Sequence, residues 1–133
     1  MKRAILADTG PLYAAVDPDD AHHGRARLEL TRLARERHEV VVAYSTLLEA
    51  YSLVLGRLGR PTATRWLKEM LAGVSLINAM PEDYRSAAST LIARADQPIS
   101  YYDATLAVLA TRLGMEVWTY DRHFDQLRVP VWR

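Results

Sequence analysis

Ala4-Ile5-Leu6-Ala7-Asp8 is an apolar run that stops on a carboxylate. Its length is too short for a helix, and Thr9-Gly10-Pro11 follows as a turn, so the run predicts a buried strand of a parallel sheet. Asp8 then lies at the strand's carboxyl end, on the rim where open parallel sheets place their ligands. Working outward, Val40 to Ala43, Val74 to Ile77 and Glu116 to Thr119 predict three more strands, and Val129-Pro130-Val131 a short fifth at an edge. Helices are predicted from Pro18-Asp19-Asp20 to about Arg37, from Ser45-Thr46 to Gly56 or Gly59, and from Pro61 to Ala72-Gly73. Two more run from Pro81 to about Ala95 and from Tyr101 to Leu113, before Gly114. Strand–helix alternation of this kind predicts an α/β fold. The expected form is a three-layer α/β/α sandwich around a mainly parallel sheet of four to five strands, with the first strand central.

No repeat or linker interrupts residues 1–133, which read as a single domain. Half the residues are hydrophobic and a quarter charged, ordinary for a folded chain and against disorder. The absence of cysteine excludes disulfides, thiolate metal sites and cysteine nucleophiles. The first apolar run is too short for a signal-peptide core, and the longest, Val40 to Leu48, is far short of a membrane span, so a cytoplasmic location is expected. The net charge of +1 neither demands nor excludes a nucleic-acid partner. Arginine dominates the cations, with Arg25, Arg27, Arg32, Arg35 and Arg37 in one cluster and Arg57, Arg60 and Arg65 in another. Such forks suit phosphate, but a solvated helix face paired with Glu29, Glu36 and Glu69 is the favoured reading.

Four acids, Asp8, Glu49, Asp103 and Asp121, fall at strand ends or helix starts along the expected rim. Carboxylates gathered there repel one another unless a hard, oxygen-seeking ion such as Mg²⁺ or Mn²⁺ is bound, which points to metal-assisted phosphoryl chemistry. Each acid also has a local explanation. Asp8 could form an Asx turn with Gly10, and Thr46-x-x-Glu49 matches a capping box. Asp103 follows the N-cap candidate Ser100 and suits the helix dipole, while Asp121 could form a turn or pair with Arg122. His22, His23 and His123 read as surface residues, and Trp66, Trp118 and Trp132 as packing residues. Phosphate-cradling glycine loops and a nucleophile elbow are missing from the sequence.

At these residues the chain resembles the PIN domain family, particularly the VapC-like ribonuclease toxins of bacterial toxin–antitoxin pairs. The matching stretches are Leu6-Ala7-Asp8-Thr9-Gly10-Pro11-Leu12, Ser45-Thr46-Leu47-Leu48-Glu49, Ser100-Tyr101-Tyr102-Asp103-Ala104 and Thr119-Tyr120-Asp121-Arg122-His123-Phe124, with Arg94-Ala95-Asp96 before the third. The resemblance covers essentially the whole chain. It implies a metal-dependent endoribonuclease in which Asp8, Glu49, Asp103 and Asp121 hold one or two Mg²⁺ or Mn²⁺ ions and water attacks phosphorus in line. It further implies that Thr9 orients Asp8, that Thr119 supports the pocket through its hydroxyl, and that Asp125 assists through water. Many relatives carry Ser or Asn where this chain has Gly10. The implied partners are an RNA substrate, a cognate antitoxin protein and a second copy in a homodimer; were the chain instead an interaction module, the surface around Ala50 to Leu58 would bind a partner or a second copy. Two competing readings are a catalytically weak interaction module and a phosphoacceptor receiver-like domain; the second lacks the adjacent acidic pair it would need.

Overall fold

The computed structural model describes residues 3–133. Its centre is β1 (Ala4–Ala7), flanked by β2 (Glu39–Ala43) and β4 (Glu116–Trp118), with β3 (Ser75–Ile77) at the far edge. The order is β3-β2-β1-β4 and every pairing is parallel, Leu6 standing opposite both Val41 and Val117. The expected central position of the first strand is what the sheet has.

The period of two along each strand sorts the core into two layers. Ile5, Ala7, Val42 and Trp118 face α1 (Thr9–Val16), α2 (His23–Arg35), α3 (Tyr44–Leu58) and α4 (Arg60–Gly73). Leu6, Val41, Ala43 and Val117 face α6 (Tyr101–Leu113) and α7 (His123–Gln126). Outside that second layer, α5 (Pro81–Ala93) packs on α6 around Ala87, Ile99 and Ala104. Ile5, Leu6, Val42 and Val117 are sealed from solvent; each contributes about 2 kcal/mol of hydrophobic stabilisation. The sandwich is therefore closed on both faces, leaving the rim as the place for chemistry.

Several local expectations need correction. Thr9-Gly10-Pro11 is the first turn of α1, because the N–H groups of a first turn have no intrahelical partner and proline there costs nothing. Pro18-Asp19-Asp20 does not start a helix. Asp17 and Asp20 accept the backbone N–H groups of Asp19 and His22, making consecutive turns, and α2 begins at His23. The expected fifth strand is a lone bridge between Val117 and Val131. There Pro130 offers only its carbonyl, and Trp132 packs edge-on against Trp118 with centroids 6.3 Å apart. In the segment from Ala50 to Leu58 one face is core, with Ala50 and Val54 beside Trp66, while Ser52, Gly56 and Arg57 are exposed. All three tryptophans pack as expected. Among the described residues, no helix is long and apolar enough to cross a membrane.

Candidate functional site

β1 delivers Asp8 to the rim. Its backbone N–H completes the ladder by donating to the Trp118 carbonyl at 2.9 Å, and its side chain then caps α1. Oδ1 accepts the Thr9 N–H at 2.8 Å, so the expected Asx turn with Gly10 gives way to a helix cap. Oδ2 accepts from the Thr119 hydroxyl at 2.7 Å, and that same hydroxyl oxygen accepts the Asp121 N–H at 2.9 Å. One threonine at the end of β4 thus locks two acids that are far apart in sequence.

Thr9 does the equivalent for Glu49, donating its hydroxyl to Oε1. The expected capping box of Thr46 and Glu49 is not formed. α3 starts at Tyr44 without a side-chain cap, Thr46 is buried inside its first turn, and Glu49 is left free to face the rim. Asp103 reaches the rim as the third residue of α6, where its N–H donates to the Ser100 hydroxyl at 3.0 Å, as the sequence predicts.

Asp8, Glu49, Asp103 and Asp121 accordingly line one open cavity of about 620 Å³, together with Thr9, Ser100, Arg122 and His123. Among the described residues, none of the four acids has a lysine or arginine within 4.0 Å, and Arg122 does not pair with Asp121. The consequence is visible in their acidity. Burial pushes the Asp8 carboxyl up to about 6, against the hydrogen bonds from Thr119 and Thr9, and the charges of Glu49 and Asp121 add to the rise. Burial and the neighbouring Asp8 and Asp121 push Asp103 up to about 7. These are oxygen donors in want of positive charge, so the set fits a hard divalent ion.

His123 corrects the sequence reading. It is half-buried in the cavity, with Nδ1 2.9 Å from Asp121 Oδ1 and 3.8 Å from Asp103 Oδ2. Ligand atoms of Asp103, Asp121 and His123 all lie within 4.8 Å of one another, whereas Asp8 and Glu49 form the other half of the cavity, joined through Thr9. A cue was present in the sequence: His123 stands two residues after Asp121 in the turn that closes over the rim, and the backbone N–H of His123 donates to Asp121 Oδ1. Asp125, by contrast, is exposed, outside the cavity, and 3.6 Å from Arg133.

The cavity wall is braced from α2. The Tyr120 phenol donates to Glu29, the Trp118 indole N–H donates to the same carboxylate at 3.1 Å, and the Arg25 guanidinium lies 4.3 Å above the Tyr120 ring. Arg25 also pairs with Glu29 at 3.5 Å, and Arg32 with Glu36 at 3.9 Å, so part of the arginine cluster is the solvated, paired helix face allowed for in the sequence. His22 is exposed against Tyr120, but His23 is half-buried and donates to the Ala14 carbonyl at 2.7 Å.

The model of the PIN domain family matches residues 5–130. The fold is similar to that of VapC20 of Mycobacterium tuberculosis, a sarcin-ricin loop cleaving toxin, with a TM-score of 0.84 and 23% identity over 97% of this chain and 98% of that one. It is also similar to VapBC2 of Rickettsia felis bound to a DNA fragment from its promoter, with a TM-score of 0.73 and 15% identity over 98% and 97%. VapBC-1 of nontypeable Haemophilus influenzae gives a TM-score of 0.72 and 16% identity over 97% and 96%. At these identities the likeness is one of fold. Among curated proteins no sequence relative matches.

Proposed function

The chain belongs to the PIN domain family, and from that premise we propose that it is a metal-dependent endoribonuclease hydrolysing RNA phosphodiester bonds, the toxin of a VapBC-type toxin–antitoxin pair. The observation that carries this reading is the convergence of Asp8, Glu49, Asp103 and Asp121 on one cavity with no lysine or arginine to neutralise them among the described residues. A catalytically weak interaction module would gain nothing from keeping uncompensated carboxylates there.

In this reading Asp8, Glu49, Asp103 and Asp121 hold one or two Mg²⁺ or Mn²⁺ ions. Such an ion, when bound, would lower the pKa of water and offset charge on the phosphate oxygens. The protein's own contribution is positional. Thr119 holds the Asp8 and Asp121 segments at a fixed separation, and Thr9 holds Asp8 and Glu49. Arg122, exposed at the cavity edge, contacts a backbone phosphate of the substrate. Attack by water leaves a 5′-phosphate and a 3′-hydroxyl and does not use the RNA 2′-hydroxyl.

The RNA substrate is assigned by analogy with VapC20, which shares the fold and cleaves the sarcin-ricin loop. The VapBC assemblies of similar fold support an antitoxin protein as partner; a homodimer is proposed on the family resemblance alone. The test is incubation of labelled cellular RNA with the protein, with Mn²⁺ or Mg²⁺ and with chelator. Cleavage that needs the ion and disappears in Asp8→Asn, whose fold is checked by circular dichroism, supports the proposal. Cleavage that persists in chelator or in the variant removes it.

A further inference from the structure

We propose that His123, through Nδ1, is a nitrogen ligand to the divalent ion held by Asp103 and Asp121, and that this half of the cavity therefore prefers Mn²⁺ to Mg²⁺; the inference rests on the metal-dependent reading above. The first observation is spacing. Octahedral ligands with bonds of about 2.1 Å stand about 3 Å apart when adjacent and about 4 Å apart when opposite. Nδ1 is 2.9 Å from Asp121 Oδ1 and 3.8 Å from Asp103 Oδ2, and one ligand atom from each of the three residues fits within 4.8 Å.

The second observation is that Nδ1 has no hydrogen bond although the atom is sealed from solvent. Asp121 Oδ1 approaches it off the donor direction and already accepts the backbone N–H of His123. With a proton on Nδ1 the donor is misaligned; with a lone pair there, it confronts a carboxylate oxygen at close range. A cation shared by the ring and the two carboxylates removes both conflicts, leaving the proton on Nε2.

The ring is also held where a ligand must be. Phe124, fully buried beside it, anchors α7 in the second core layer, and the Thr119 hydroxyl pins the Asp121 backbone on the other side. Carboxylates alone suit Mg²⁺ and Mn²⁺ alike, whereas imidazole is a poor partner for Mg²⁺ and a good one for first-row transition ions.

The experiment uses the full chain without RNA. Electron spin-echo modulation of the Mn²⁺-loaded protein reads ¹⁴N coupling directly, and calorimetric titration reads Mn²⁺ and Mg²⁺ affinity. We expect ¹⁴N modulation in the wild type and its loss in His123→Gln and His123→Ala, both checked for folding. Mn²⁺ binding should weaken about tenfold or more, and Mg²⁺ binding much less. Modulation absent from the wild type, or unchanged in both variants, overturns the ligand assignment, as does an equal loss of both affinities. RNA cleavage by the wild type is scored separately. A protein that cleaves without ¹⁴N coupling refutes only this inference, one that shows the coupling but never cleaves refutes only the nuclease, and one that binds no Mn²⁺ refutes both.

Discussion

Removing one negative charge from the rim should make the metal-free protein more stable. Asp8 is 7% exposed, and its carboxyl stands at about 6 against an ordinary 3.8. The native state therefore binds the Asp8 proton more tightly than the unfolded chain does. Its contribution to stability is complete below pH 3.8 and is lost as pH rises through about 6. At 1.36 kcal/mol per pH unit, the loss at pH 8 is about 3 kcal/mol, a large share of a typical folding free energy. Asp103, at about 7, acts in the same direction and extends the window above neutrality; the two charges repel each other, so their effects do not add.

Asp8→Asn keeps an acceptor for the Thr9 N–H and can satisfy Thr119 through its amide, while abolishing the charge. Urea unfolding in chelator from pH 4 to pH 8 is the assay. The wild type should lose stability relative to the variant across that range. The difference should be near zero at pH 4 and should reach about 2–3 kcal/mol in the variant's favour at pH 8. Because Asp83 and other carboxylates titrate at lower pH in the opposite sense, the difference between the two proteins is the quantity to read. Mn²⁺ should restore the wild type by about 3 kcal/mol at a hundredfold excess over the dissociation constant, and the variant, which keeps Asp103, Asp121 and His123, by less at the same concentration. A variant less stable than the wild type at pH 8 would refute the account of the site as charge held against repulsion.

Two further outcomes follow from other parts of the molecule. Asp83 is 3% exposed, accepts two bonds of 2.8 Å from Arg112 and one from the Met80 N–H, and is held below the usual carboxylate range by that arginine. Arg112→Met should cost about 2 kcal/mol by thermal unfolding at pH 7, and less below the ordinary Asp value, where Asp83 can take a proton instead; an unchanged midpoint would contradict this. Gly10 lies in the first turn of α1 with open space where a Cβ would stand and no positive φ, so Gly10→Ser should be stabilising by about 0.5 kcal/mol. It should also tighten Mn²⁺ binding by adding a hydroxyl to the cavity, and a destabilised Gly10→Ser protein would argue against that backbone reading.

The sheet was legible because its strands are short apolar runs of the kind buried on both faces, and Leu6 and Val117 have no other use than to fill such a layer. The helix starts were harder. Proline and glycine next to Asp8 look like a turn, and only the capping of α1 by Asp8 itself makes them a helix. Asp19 and Asp20 have the composition of a cap, but the carboxylates of Asp17 and Asp20 are spent on successive turns. In the site, the four acids could be named from where they fall along the chain, whereas the supporting hydroxyl of Thr119 was expected from the family resemblance alone, because its contact spans 111 positions in sequence. His123 was under-read, its closeness to Asp121 in sequence being a cue too weak to decide its place. An imidazole on a surface turn and an imidazole in a cavity have the same neighbours in sequence, and only the docking of α7 against α6 separates them.

The hydroxyl of Thr119 ties the first strand to a segment synthesised more than a hundred residues later, and that fixes when the acidic rim can assemble. A chain halted before residue 116 has no β4 beside β1, and one halted before residue 119 lacks the bond that orients Asp8, so its carboxylates cannot gather. On the nuclease reading, such a polypeptide is disarmed by its own topology, and the stretch from β4 onward serves as the arming piece. Supplying that stretch in trans to a shortened chain would be a natural way to place activity under outside control.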